Sequence, residues 1–564
     1  MSGKGGKGAL EQPDPLHPRR AAGLAALRAV TTQGALIERL TRTLAEALTT
    51  DNVVSAVAGS LVPAFRADGL VIFAVEEGRL YLVGSSGYSR GFLDQISGTP
   101  YTEETPVGEA LRTGVPQFFG STEEMVARYP MVADQPKAGH MDSRIFLPLV
   151  ASGRAIGVTI LSFVGTYRLG GEERTLLTAL SSLIAQALER ARLHDATAAR
   201  ARELQRALLP HLLPSVPAVT AAAHYLPAGR GAEVGGDWYD LIPLSAERVA
   251  LVIGDVMGHG IPEAATMGRL RTAVRTLSDL DLPPDDILDR VNDIVGDLGE
   301  DGFATCLYGV YDSVTGDFTF SSAGHPPPVA VFPDGTVTYL ASYTAPPLGI
   351  ADPPFETETA TLPDGGFLVL YTDGFVQAGD GDLESGMARL ALALATAVGN
   401  AETPPVAELR DVIAARLLPA HSDTRDDAAL LIARTNRLAP SDVASWPLPD
   451  DPKAAGEARE HVRDQLAAWH LGEDVVMTTE LLVSELVSNV VRHARGPVRL
   501  RLLRSRSLTC EVSDGSLTTP HIRRTGPTDE DGRGLQLVSA LAQRWGARYT
   551  SHGKSIWTEQ RLSA

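Results

Sequence analysis

The chain has 564 residues, 44% of them hydrophobic and 21% charged, and carries a formal net charge of −19. At ~150 residues per domain this length excludes a single core and implies three or four domains. The acidic balance argues against non-specific nucleic-acid binding, and two cysteines, Cys306 and Cys510, are too few for a disulfide framework or a cysteine-rich zinc site.

Residues 1–29 read as a flexible leader. Their "GKGGKG" lacks the order of a phosphate-binding loop and has no strand before it. No apolar signal region is present, so the expected compartment is the cytoplasm. Residues 30–193 read as α/β, with a helical pattern over Ala35–Ala58 and a strand-like "GLVIFAVEEGRLYLVGSSG". The longest apolar run, Ile145–Gly165, contains Gly153, Arg154 and Gly157. That composition suits two strands and a turn rather than a membrane span. A helix is expected from Glu172 to about Leu209, where Leu176, Leu180, Leu183 and Ala187 form one apolar seam and Pro210 ends it. Its last part, within 194–217, reads as a linker.

Residues 218–436 are strand-rich, with helical patterns near Ala264–Leu277 and Gly386–Val398. The Pro/Asp/Ser-rich segment within 437–456 reads as a second linker. Residues 457–564 form a third domain of two helices, a strand group, a glycine-rich loop, and a final helix and hairpin.

The segments "DGLVIFAVEEGRLYLVGSSGYS", "TPVGEALRTGVPQFF" and "IFLPLVASGRAIGVTILSF" together resemble a GAF sensor domain. The resemblance implies small-ligand binding or dimerisation, and a homodimer formed through this domain and the linker helix is expected. No cysteine lies here, so a thioether-linked bilin is ruled out. His140 is read as a solvated loop histidine.

Aspartates recur at strand ends in the middle domain. "EVGGDWYD" supplies Asp237 and Asp240, "VIGDVMGHG" Asp255, "LVLYTDGF" Asp373, and "DTRDDAALLIAR" Asp426 and Asp427. Each alone suits an Asp-Gly turn. Four strand-end sites in one domain suit hard cations, which prefer carboxylates, carbonyls and water. A pair of cations ~3.5–4 Å apart can direct an activated water at phosphorus.

In the order "EVGGDWYD", "GDVMGHG", "SSAGHPPP", "YTDGF" and "DDAALLIAR", these motifs resemble the metal-dependent (type 2C, PPM) protein phosphatases. The nearest subgroup includes the stage II sporulation protein E and stress-response phosphatases. The resemblance implies an αββα sandwich holding two Mn²⁺ or Mg²⁺ ions. Asp237, Asp255, Asp373 and Asp426 would be ligands, with the Val256 carbonyl. Asp240 and Asp427 have weaker claims, His259 and His325 no assigned role, and Arg230 is a guess for a phosphate-binding arginine. The helix before the first motif can act as a switch in this family. The implied substrate is a phosphorylated anti-sigma-factor antagonist. The residues themselves imply only phosphate-ester hydrolysis.

In the third domain, "TTELLVSELVSNVVRHA" sets Leu482, Leu486 and Val490 on one stripe and Glu485 and Asn489 beside it. "LTCEVSDGS" carries Asp514, and "DEDGRGLQLV" carries Gly532 and Gly534. Glycines before a helix let backbone N–H groups approach phosphates. These motifs resemble the GHKL ATPase fold, an α/β sandwich, and within it the anti-sigma-factor serine kinases. The resemblance implies Mg-ATP, with Glu485 as base, Asn489 on Mg²⁺, and Asp514, Gly532 and Gly534 on the nucleotide. The adenine motif is a bare "DGS", and no phospho-acceptor histidine helix precedes it. The alternative is a non-catalytic module that sequesters a sigma factor or its antagonist. The expected whole is a multidomain α/β and α+β protein.

Overall fold

The computed structural model describes residues 34–102, 104–134, 140–210, 212–227, 235–258, 260–298, 302–340, 345–350, 355–378, 382–399, 403–418, 426–493, 496–516, 534–550 and 553–562. The chain forms two compact units, Met1–Ala198 and Ala199–Ala564.

The first unit opens with α1 (residues 34–46) and α2 (Thr50–Phe65). The helical pattern expected over Ala35–Ala58 is therefore two helices. Thr49 breaks it by turning extended, and its hydroxyl accepts from Asn52 N–H as an N-cap. Next come β1 (Gly69–Glu76), β2 (Arg79–Ser86), α3 (Arg90–Ile96), α4 (Pro106–Thr113), β3 (Gln117–Phe119), α5 (Thr122–Arg128), β4 (Met141–Ala151), β5 (Arg154–Val164) and α6 (Gly171–Leu208). The sheet order is β2-β1-β5-β4-β3. The apolar run 145–165 is the β4–β5 hairpin. It turns at Ser152 and Gly153, both at positive φ. One sheet face packs on α1, α2 and α6 through Leu40, Val57, Leu147, Leu161 and Leu180. The other packs on α3, α4 and α5 through Phe73, Leu93, Leu111, Met125 and Phe146. No helix among the described residues is long and apolar enough to cross a membrane.

The second unit continues with β6 (Val219–Leu226), β7 (Trp238–Pro243), β8 (Arg248–Val256), α7 (Ile261–Ser278), α8 (Pro284–Asp297), β9 (Ala304–Asp312), β10 (Asp317–Ala323), β11 (Val329–Val331), β12 (Val337–Tyr339), β13 (Glu358–Thr361), β14 (Phe367–Tyr371), α9 (Asp373–Val376), α10 (Leu383–Val398), α11 (Val406–Leu417) and β15 (Ala428–Thr435). Two antiparallel five-stranded sheets form, β13-β10-β9-β8-β7 and β12-β11-β14-β15-β6. Leu251, Ile253, Phe320, Leu370 and Leu431 fill the space between them. The outer faces are covered by α7 and α8 on one side and by α9, α10 and α11 on the other. This is the expected αββα sandwich.

The last part begins at β16 (Val443–Leu448), which lies inside the segment expected to be a linker. β16 is an edge strand, where Pro447 costs no ladder bond, and Trp446 stacks on His461. Then follow α12 (Ala454–Ala468), α13 (Glu473–His493), β17 (Val498–Arg504), β18 (Ser507–Asp514), α14 (Gly534–Leu541), β19 (Arg544–Thr550) and β20 (Gly553–Arg561). The sheet order is β16-β17-β18-β20-β19, with α12, α13 and α14 packed on one face through Val462, Leu486, Leu502 and Val512. On this side of the molecule Arg506 donates to the Ser215 carbonyl at 2.9 Å and Ser505 donates to Glu247, so this sheet is held against the sandwich.

Candidate functional site

Strand alternation decides where each aspartate points. On β7 and β8, Tyr239, Leu241, Val249, Leu251 and Ile253 face the other sheet, while Trp238, Ile242, Ala250 and Val252 face α7 and α8. Period two then aims Asp255 into the gap between the sheets, and Asp237 shares that parity. On β14 and β15, Leu368, Leu370, Ala429 and Leu431 face inward, so Thr372 and Asp427 do too. The antiparallel pairs Trp238–Gly254 and Tyr371–Leu430 put all these strand ends at one edge of the sandwich.

The carboxylates form one electrostatic cluster. Burial, and then Asp255 and Asp427, raise the Asp237 carboxyl well above its usual range, while the Thr372 hydroxyl opposes the shift. Burial, and then Asp373 and Asp426, push Asp255 up to about 7. Asp237 and Asp255 are hydrogen-bonded to each other. Asp427, given the weaker claim from sequence, is buried inside the cluster, whereas Asp426 is exposed at its rim. Among the described residues no three His, Cys, Asp or Glu side chains form a ready-made metal cage.

The donor set nevertheless fits hard cations, because it is built of carboxylates and a carbonyl. Glycines make the close approaches. A Cβ on Gly236 would lie 2.2 Å from the Val256 carbonyl oxygen, and one on Gly374 would lie 1.9 Å from the Asp427 carbonyl oxygen. Gly258 and Gly260 turn the chain at φ 98° and 129°, a region that favours glycine, between Val256 at the end of β8 and Ile261 at the start of α7.

Asp240 is not part of this cluster. Its parity on β7 is that of Trp238 and Ile242, so it faces α7, where Arg271 and Arg275 each stand 3.1 Å from a carboxylate oxygen. Arg271 also donates to the Leu208 carbonyl at 2.7 Å, at the end of α6. A Cβ on Gly268 would come within 2.9 Å of the Leu208 side chain. The last turn of α6 therefore sits on the helix that leaves the cluster.

His325 is buried, its Nδ1 lies 2.8 Å from the Thr305 hydroxyl, and burial pushes its pKa down to about 3. Thr305 is the register partner of Asp255, so His325 is a neutral packing residue beneath the cluster. His259, Arg230 and Gly532 lie outside the described residues. Sequence reasoning missed Thr372, whose hydroxyl donates to Asp237 at 2.7 Å while accepting from Ala429 N–H. It also missed the two arginines on Asp240. In the first unit, a cavity of about 240 Å³ is lined by Phe118, Ser143, Phe163, Tyr167, Arg168 and Arg174, and His140 is exposed.

The second candidate site lies between α13, α14 and β18. A Cβ on Gly534 would stand 2.6 Å from Glu485 and 3.4 Å from Asn489, so the start of α14 rests directly on both side chains. The Asn489 amide nitrogen has no partner among the described residues. Asp514 has the inward parity of Cys510 and Val512 on β18. Its Oδ1 accepts from Ser516 N–H at 2.7 Å and from Lys554 Nζ at 3.2 Å.

Family models match three segments of the chain. The GAF domain model matches residues 47–189, the Stage II sporulation protein E (SpoIIE) model residues 245–436, and the histidine kinase-like ATPase domain model residues 448–558. Protein IcfG of Synechocystis sp. is 29% identical over 210 residues, 32% of this chain and 32% of the relative. Phosphoserine phosphatase RsbU of Bacillus subtilis is 28% identical over 179 residues, 31% of this chain and 52% of the relative. The matches thus span between a third and about half of these relatives. The solved RsbU and RsbW domains of Rv1364c from Mycobacterium tuberculosis are 27% identical, with a TM-score of 0.38, covering 62% of this chain and 97% of that one.

Proposed function

We propose that this chain, which carries a GAF domain, a SpoIIE phosphatase domain and a histidine kinase-like ATPase domain in that order, is a cation-dependent phosphoserine/phosphothreonine protein phosphatase. The observation that carries this reading is the meeting of strand-end carboxylates from both sheets at one edge, with Asp237 and Asp255 titrating far above their usual range. Buried carboxylates that repel one another favour a bound cation. Asp237, Asp255, Asp373, Asp426 and the Val256 carbonyl would hold Mn²⁺ or Mg²⁺, with Asp427 beside them. Two such cations supply polarisation of a phosphoryl oxygen and a water whose pKa falls toward ~7. The protein's own part is to fix the donors, with Thr372 orienting Asp237 and the glycines leaving room for a phosphate.

The similarity to a phosphoserine phosphatase supports a phosphoserine substrate, and the motif resemblance implies an anti-sigma-factor antagonist as the protein that carries it. The docking of the last turn of α6 on α7 supports a regulatory role for that helix; the GAF domain is read as its sensor, the setting as cytoplasmic and the assembly as a homodimer through the GAF domain and this helix. The ATPase domain is read as a serine-kinase-like module for Mg-ATP, with Glu485 as base and Asn489, Asp514, Gly532 and Gly534 on the nucleotide. The Asn489 amide nitrogen, without a partner among the described residues, favours a retained nucleotide site over a purely sequestering module. Hydrolysis of p-nitrophenyl phosphate with Mn²⁺ tests the first site. Asp255→Ala and Asp373→Ala each abolish it, and undiminished turnover in both would refute the assignment. Labelled ATP with a candidate antagonist tests the second. Transfer that disappears in Glu485→Ala supports a kinase, and binding without transfer supports the sequestering module.

A further inference from the structure

The Asp514 side chain is buried, yet among the described residues only one of its oxygens is used. Oδ1 takes both Ser516 N–H and Lys554 Nζ, while Oδ2 has no hydrogen-bond partner among the described residues. Lys554 is equally buried, at 6% exposure, and its hydrogen-bond partner among the described residues is that same Oδ1. An ammonium has three hydrogens to donate. A buried carboxylate oxygen and spare ammonium hydrogens are each costly to leave unmet. The two side chains sit on register partners of neighbouring strands, β18 and β20, on the sheet face that carries α13 and α14. They therefore present an acceptor and a donor side by side.

We propose that Lys554 is a base-reading residue of the nucleotide site, donating to adenine N1 while Asp514 Oδ2 accepts from the N6 amino group. This rests on the nucleotide-binding reading of the domain. Adenine offers a donor next to an acceptor on its N6/N1 edge. Guanine offers O6 next to N1–H, the reverse order, which sets O6 against the carboxylate and N1–H against the ammonium. The N1 edge is chosen over N7 because both readers are buried. The edge that reaches them is the one farthest from the ribose-bearing N9, and the phosphates are left toward Asn489 and Gly534. The pair thus selects adenine rather than merely tying two strands together.

The test is calorimetric titration of the full chain with Mg²⁺ complexes of ATP, 1-deaza-ATP, 7-deaza-ATP and GTP. Wild type binds 1-deaza-ATP about tenfold to a hundredfold more weakly than ATP, the range for one hydrogen bond to a charged group. It binds 7-deaza-ATP like ATP and binds GTP weakly. In Lys554→Met, ATP affinity falls to that of 1-deaza-ATP, and the gap between the two closes. Equal binding of ATP and 1-deaza-ATP by wild type overturns the proposal without any variant. So does a penalty confined to 7-deaza-ATP, or a gap that persists in Lys554→Met. Failure of wild type to bind ATP at all overturns the nucleotide reading beneath it, a distinct result.

Discussion

Replacing Gly236 with alanine tests the cation site without touching a carboxylate. The added Cβ would stand 2.2 Å from the Val256 carbonyl oxygen. Ordinary contact needs about 1 Å more, so either the carbonyl or the 235–237 backbone must move by roughly that amount. Coordination tolerates only about 0.2 Å. The clash is with backbone, which no rotamer change relieves. Overpacking of this kind costs about 1–3 kcal/mol, or roughly 2–12 °C of melting temperature for a domain this size. The fold survives, but the Mn²⁺ concentration for half-maximal p-nitrophenyl phosphate hydrolysis rises at least about tenfold, by analogy with disturbed metal surroundings. Gly296→Ala is the control. Gly296 is exposed in α8, with nothing within 4 Å of its would-be Cβ, and it gains about 0.5–1 kcal/mol with unchanged Mn²⁺ response. A Gly236→Ala protein with wild-type Mn²⁺ half-saturation would refute the placement of Val256 in the site.

Two other outcomes follow from the same geometry. Asp240→Asn retains cation-dependent hydrolysis but loses about 1–3 kcal/mol in denaturant titration, less than the usual ~3–5 for a broken buried pair because Arg275 is half-exposed; loss of hydrolysis in a folded variant would return Asp240 to the ligand set. Asp255 has a folded-state pKa near 7, above its unfolded value, so its contribution to cation-free stability is complete below about pH 4 and is lost as pH rises through about 7. Cations require the ionised carboxylates, so the Mn²⁺-induced rise in melting temperature is larger at about pH 8 than at about pH 5. An equal or larger rise at the lower pH contradicts the cluster.

The motif order "GGDWYD", "GDVMGHG", "YTDGF", "DDAALL" already marked the carboxylates, because hard-cation chemistry needs acidic side chains at strand ends beside glycine. The three-domain order was legible for a similar reason: α6 carries an uninterrupted apolar seam, and the β4–β5 run carries its own turn residues. The local residue pattern did not separate Asp237 from Asp240, and only the motif resemblance ranked Asp237 first. Both faces of β7 are buried, by the second sheet and by α7, so no polar–apolar alternation reveals which way a residue points. Only the sandwich assigns Asp237 to the gap and Asp240 to two arginines. β16 was hidden for a related reason, since an edge strand tolerates the proline and polar residues that read as a linker. Thr372 with Asp237, Arg271 with Leu208, and Lys554 with Asp514 join residues 135, 63 and 40 positions apart. No local pattern encodes such pairs, because they exist only once the strands are in register and the helices are packed upon them.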